Sequence, residues 1–319
     1  MKKSAASILF ALALFLSAIP PSNQAQTENQ STVVKLNLIV VDRNNHAVDD
    51  VQKEDLQLFD NGTAQTILSF SREEVAAKYG IVIDTSGSLR TLFPVVKAGV
   101  MTLIQANRPD DTTFITRFIS SDQIHTVQPL TNDKAALTMA INGLAVRGGQ
   151  TAVIDGLYLA AEYAAKHRVA RERLMLVLIS DGEDRASYFN ESQLLKLLRE
   201  RDIQIFALGL IGDLEGEQGL IRKSPKRMAS EFLTRLAKET GGRAFLLEKP
   251  KDLPGAIDEI AHDIHSQYVI EYQPTERLKP ERKIEIKLTG AKEREKRKVI
   301  TRAVIGAKPV TVKTESKQP

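Results

Sequence analysis

Two apolar patterns divide the chain. Residues 33–41 (Val-Val-Lys-Leu-Asn-Leu-Ile-Val-Val) alternate and are rich in β-branched side chains, which predicts a strand with one buried face. Asp55–Phe59 and Thr66–Phe70 flank a turn at Asp60-Asn61-Gly62. Asn-Gly between alternating runs predicts a hairpin, so residues ~30–72 read as a small β unit.

From Tyr79 the pattern changes. Tyr79–Ile83 and Leu174–Ile179 are continuous apolar runs of strand length, and Thr113–Ile119 and Ile203–Leu208 also read as strands. Between them, Leu89, Leu92, Phe93, Val96, Val100, Leu103 and Ile104 recur at helical spacing, and Lys134–Leu144, Ala152–Lys166 and Ser192–Arg201 also read as helices. Apolar strands alternating with amphipathic helices predict an α/β fold: a doubly wound, Rossmann-like, mostly parallel sheet with helices on both faces. Residues 211–229 are polar, with Gly and Pro, and read as a loop. Glu231–Thr240 is a helix stopped by Gly241-Gly242, and Ala244–Leu247 a short strand. Leu253, Ala256, Ile257, Ile260, Ala261 and Ile264 stripe a last helix. Tyr268–Tyr272, Lys283–Leu288 and Lys298–Ile305 then alternate as antiparallel strands. Isolated hairpins are only marginally stable, so these strands are expected to join the N-terminal ones in a small antiparallel β subdomain.

The first residues form a different kind of segment. Lys2 and Lys3 precede an apolar run from Ala5 to Ile19, followed by Pro20 and Pro21. This has the charged, apolar and breaker regions of an export signal, and the run is shorter than the ~20 residues that span a bilayer. The division expected is 1–25 signal peptide, 26–74 N-terminal β segment, 75–266 α/β domain, 267–306 C-terminal strands packing with the N-terminal segment, and 307–319 a disordered tail. The product is expected to be periplasmic or secreted, with no membrane span after the signal.

Composition narrows the chemistry. The 319 residues include no Cys, which excludes disulfides, thiolate metal sites and a cysteine nucleophile. A net charge of +4 conceals a basic end: residues 276–319 hold 14 Lys and Arg against six Asp and Glu. An acidic body with a basic tail is not the footprint of a nucleic-acid binder.

Three short segments carry the chemistry. Asp84-Thr85-Ser86-Gly87-Ser88 follows the first apolar strand and precedes a helix. Arg147-Gly148-Gly149-Gln150-Thr151 opens another helix, and Ser180-Asp181-Gly182 follows the strand Leu174–Ile179. In a parallel sheet the carboxyl ends of strands open onto the ligand crevice. Asp84, Ser86, Ser88, Thr151 and Asp181 together offer two carboxylates and three hydroxyls. That set suits Mg²⁺ or Mn²⁺ with an exchangeable position, which an acidic group from a partner can complete.

The order and spacing of Asp84-x-Ser86-x-Ser88, Thr151 and Asp181 resemble the metal-ion-dependent adhesion site of von Willebrand factor type A domains over residues 75–266. Glu239-Thr-Gly-Gly-Arg-Ala-Phe245 and Gln267-Tyr-Val-Ile-Glu-Tyr-Gln-Pro274 extend the resemblance to an exported bacterial subfamily. The resemblance implies that Ser86, Ser88 and Thr151 ligate the metal directly and that Asp84 and Asp181 act directly or through water. It implies a protein partner offering an Asp or Glu carboxylate and a last helix that shifts in some members when ligand binds; that no nucleophile or base–orienter pair is recognisable adds the expectation of no catalysis.

Other readings compete. Asp and Ser after strands also cap helices and form turns. A phosphatase of the haloacid-dehalogenase type wants a second Asp where Ser86 stands, and the P-loop pattern is absent. A Mg²⁺-dependent hydrolase needs a base, for which Glu183 and Asp184 are the nearest acids; they read as solvated loop residues. His262 and His265 read as a surface pair, and the sequons at Asn29, Asn61 and Asn190 carry no weight. A metal-independent envelope scaffold, binding through the β subdomain and basic tail, is the alternative to the metal-dependent module.

Overall fold

The structure, a computed structural model, describes residues 33–73, 76–169, 173–216, 224–276 and 281–306. The expected export signal and tail lie outside the described residues. The chain opens with β1 (Val34–Val41), β2 (Leu56–Asp60), β3 (Thr63–Gln65) and β4 (Ile67–Glu73). Asn61 and Gly62 both take positive φ, 52° and 81°, as a two-residue hairpin turn demands. The hairpin they close pairs β2 with β3, not with the strand beginning near Thr66. That expectation is corrected: β4 crosses to a different sheet.

The central layer runs β5 (Lys78–Asp84), α1 (Phe93–Gln105), β6 (Thr112–Phe118), β7 (Ile124–Thr131), α2 (Lys134–Gly143), α3 (Val153–Lys166), β8 (Leu174–Ser180), α4 (Glu191–Glu200), β9 (Ile203–Leu210), α5 (Pro225–Thr240), β10 (Ala244–Leu247) and α6 (Leu253–His265). The six-stranded sheet has the order β10-β9-β8-β5-β6-β7, parallel throughout except for β7. Every residue of β5, β8 and β9 is buried, because helices cover both faces. Residues from α1, α2 and α6 pack on one face and residues from α3, α4 and α5 on the other.

Two expectations change here. β7 had no sequence signal: it is a half-buried edge strand containing Pro129, tolerated where no further strand pairs. The segment read as a loop to 229 turns helical at Pro225, with Ser224 accepting from the Arg227 amide (3.2 Å) as its cap. α5 stops at Gly241 in the left-handed conformation, as the Gly-Gly pair implied.

The chain closes with β11 (Gln267–Tyr272), β12 (Glu281–Leu288), α7 (Gly290–Arg294), β13 (Lys298–Thr301) and β14 (Val304–Gly306). They join the N-terminal strands in two antiparallel sheets, β13-β1-β11-β4 and β14-β12-β2-β3. Both contribute to a third core that includes Leu38, Val40, Leu58, Ile270, Tyr272 and Ile284. One buried ion pair lies in it: Arg282 donates to Asp60 (2.5 Å), which also accepts from the Tyr272 hydroxyl (3.0 Å).

The last helix is fastened to this β unit by charge. Arg243, almost fully buried, pairs with Asp263 (2.6 Å) and Glu259 (3.1 Å) of α6 and also donates to the Asn45 carbonyl. Glu259 accepts from His46 (2.7 Å) and the Ala47 amide (3.2 Å); His262 meets Asp49 at 3.2 Å. His265 bonds Asp111 at 2.6 Å and is buried. The surface reading of the two histidines is corrected: each joins α6 to a different neighbour.

Candidate functional site

From β5 the chain crosses through α1 to β6 on one side, then returns to β8 on the other. The neighbouring ends of β5 and β8 therefore mark the point where strand order reverses, the position at which open α/β sheets generally bind ligands. β5 ends on Asp84 and β8 on Ser180, just before Asp181. The loop holding Arg147 to Thr151 reaches the same place: the Arg147 amide donates to the Thr85 carbonyl (2.9 Å) and the Ala152 amide to that of Ile119 (2.7 Å). Gly149 (φ 158°) makes this approach possible, since a Cβ there would sit 2.5 Å from the Ile119 side chain.

Asp84 is fully buried. Its Oδ1 accepts from the Ser86 amide (2.8 Å) and its Oδ2 from the Ser180 hydroxyl (2.8 Å), which accepts in turn from the Gly182 amide (3.0 Å). No ion pair among the described residues includes Asp84 or Asp181. Burial pushes the Asp84 carboxyl up to about 6; the charge of Asp181 adds to this, and the bonds from Ser86 and Ser180 oppose it. Asp181 accepts from the Glu183 amide (3.0 Å).

The hydroxyls sort themselves. Thr85 gives both its amide (2.9 Å) and its hydroxyl (3.1 Å) to the Phe118 carbonyl, facing away from the loop. Ser86 and Ser88 are left side by side, their oxygens 3.1 Å apart, the first buried and the second exposed. Thr151 is 5% exposed, and its carbonyl accepts from the amides of Arg185 (2.8 Å) and Ala186 (3.1 Å). Among the described residues no three His, Asp or Glu side chains group as metal ligands. A cation here draws on two carboxylates and on hydroxyls, a donor set that suits a hard divalent ion.

Sequence reasoning missed what holds these loops together. α3 begins without a side-chain cap of its own. Its first amides are met instead by the loop after Asp181: Ile154 donates to Asp184 (3.1 Å) and Asp155 to the Ser187 hydroxyl (3.1 Å). In return the buried Asp155 accepts from the amides of Tyr188 (2.8 Å) and Phe189 (2.9 Å). Asp184 is thus a capping residue, not a free loop acid, and Glu183 pairs with Arg185 at 2.5 Å. The only signal in the sequence was an Asp in a first helical turn.

Residues 80–183 match the sequence profile of the von Willebrand factor type A domain, a span that contains Asp84, Ser86, Ser88, Thr151 and Asp181. This segment is a von Willebrand factor type A domain. No curated protein sequence matches the chain. BatB, a conserved hypothetical protein from Bacteroides thetaiotaomicron, is similar in structure at 18% identity and a TM-score of 0.47, over 59% of this chain and 98% of that one. A von Willebrand factor type A structure from Catenulispora acidiphila is similar at 13% identity and a TM-score of 0.49, over 76% of this chain and 72% of that one. Proximal thread matrix protein 1 from the mussel byssus, in a form with zinc occupying its MIDAS motif, is similar at 17% identity and a TM-score of 0.48, over 60% and 49%. In the present chain the von Willebrand domain is flanked on both sides by strands of the two antiparallel sheets.

Proposed function

We propose that the protein is an exported interaction module. In this reading Asp84, Ser86, Ser88, Thr151 and Asp181 hold Mg²⁺ or Mn²⁺, and a carboxylate on a protein partner completes the shell. The observation that carries the reading is Asp84: a fully buried carboxylate in no ion pair among the described residues, beside a second carboxylate and two adjoining serine hydroxyls. A buried charge without a counter-charge is costly, and a divalent ion removes that cost. When bound, the ion supplies a centre of positive charge that neutral hydroxyls leave under-neutralised, so an anionic group is favoured next to it. Ser86 and Ser88 orient toward one another, and Asp155 and Asp184 fix the loops that carry Thr151 and Asp181.

Binding without catalysis is part of the proposal. The loop acids nearest the site are engaged, Glu183 by Arg185 and Asp184 at the start of α3, which leaves neither of these two free as a water-activating base. Export rests on the sequence of residues 1–25. Among the described residues no helix is long and apolar enough to cross a membrane. The test is capture of a partner from the producing cell's envelope fraction, with and without chelator, beside the Asp84→Ala variant. Capture lost in both the chelated and the variant arms supports the module; equal capture by Asp84→Ala contradicts it.

A further inference from the structure

Buried arginines in this fold sit on carboxylates: Arg243 on Asp263 and Glu259, Arg282 on Asp60. Arg117 does not. It lies one residue before the end of β6, in register with Ile83 of β5 and His125 of β7. Its Nη1 is buried with no acceptor, and no ion pair among the described residues includes it. Thr85 links it to Arg147: the Thr85 amide donates to the carbonyl of Phe118, the residue after Arg117, and the Thr85 carbonyl accepts from the Arg147 amide, while burial, and then the charge of Arg147, lower the Arg117 pKa. Arg147 is exposed, also without an ion pair among the described residues, and its backbone is bonded to Thr85 inside the Asp84–Ser88 segment.

Two neighbouring guanidinium groups without a counter-charge, one of them partly desolvated, oppose folding in isolation. Guanidinium forks bind carboxylates in bidentate fashion, which would reverse that sign. We propose that Arg117 and Arg147 form an acid-binding recess beside the candidate metal site, so that the partner is a polypeptide segment with at least two neighbouring carboxylates. One carboxylate completes the metal shell, and the next falls on the arginine pair. This rests on the metal-site reading above for the first contact and on the arginines alone for the second.

The test uses two labelled peptides in a Gly-Ser frame, one with a single Asp and one with three Asp at alternate positions, and measures affinity by anisotropy in Mg²⁺. Wild type is expected to favour the triacidic peptide by ~10-fold, the scale of one charge-assisted bidentate contact. In Arg117→Gln/Arg147→Gln the preference is expected to fall below about 2-fold, while Mg²⁺ affinity by direct titration is unchanged. The melting temperature reports on structure: it should hold or rise, because the variant removes like charges, whereas a structural role for Arg117 would lower it. Arg147→Gln, an exposed change, serves as the single variant should the double variant misfold. A full preference retained in either variant overturns the recess. Loss of chelator sensitivity for both peptides, with the arginine-dependent preference intact, overturns the metal reading and leaves the recess standing. Inorganic phosphate is the third probe; saturable, arginine-dependent phosphate binding tighter than that of the triacidic peptide overturns the peptide assignment.

Discussion

Asp84 holds opposing requirements. Its carboxyl is sealed from water and hydrogen-bonded on both oxygens, yet among the described residues it has no ion pair. A pKa of about 6 against an ordinary 3.8 means that the folded chain holds this proton more tightly than the unfolded one. Its stabilising contribution is therefore present at low pH and lost as pH rises from 3.8 to about 6. At neutral pH the metal-free fold carries an ionised, buried group. Asp84→Asn should thus stabilise the chelated protein by about 1–2 kcal/mol in urea denaturation at neutral pH while abolishing Mg²⁺ binding. A variant less stable than wild type in chelator would show that the charge is compensated after all. Asp155 is the second residue to change. Asp155→Ala strands the Tyr188 and Phe189 amides and should cost about 2–3 kcal/mol, with faster hydrogen exchange confined to residues 182–190. Uniform exchange across the domain would contradict a local role.

α6 is one of the elements through which the central domain meets the β unit. Its polar face is read by the turn at residues 42–49: Glu259 takes His46, and His262 takes Asp49. Both histidines are raised above their ordinary range, His46 by Glu259 and His262 by Asp263 and Asp49. A raised histidine contributes fully below the unfolded pKa of 6.5, and that contribution is lost as pH climbs through the folded value. Between about pH 6 and 8 the melting temperature of wild type should fall more than that of His46→Gln/His262→Gln, measured in chelator. Parallel curves would place the histidines outside the stability of this joint. Arg243 at its centre is nearly inaccessible and sits on two carboxylates, Asp263 and Glu259.

Over the whole molecule, legibility followed burial. The continuous runs Tyr79–Ile83 and Leu174–Ile179 announced strands because strands covered on both faces must be apolar throughout. β7 was hidden by the same logic, since an exposed edge places no such demand on its sequence. Alternation showed that both ends of the chain carry strands, but it does not say which strands share a sheet. Only the register separates Leu36↔Ile270 in one sheet from Leu58↔Ile286 in the other. Asp84, Ser86, Ser88 and Asp181 could be named as candidates from the sequence because they stand next to strand ends in the chain. The roles of Asp155, Asp184 and Arg117 were not legible, because they arise from contacts across about 30 residues or more of sequence. The claim on which the account turns is that the three segments, once folded together, hold a divalent ion. Calorimetric titration of the purified protein with Mg²⁺ and Mn²⁺, in acetate to supply a carboxylate, tests it beside Ser86→Ala/Ser88→Ala. Saturable one-site binding that disappears in the variant is the predicted result. Binding unchanged in the variant, or none in wild type with acetate present, would contradict it.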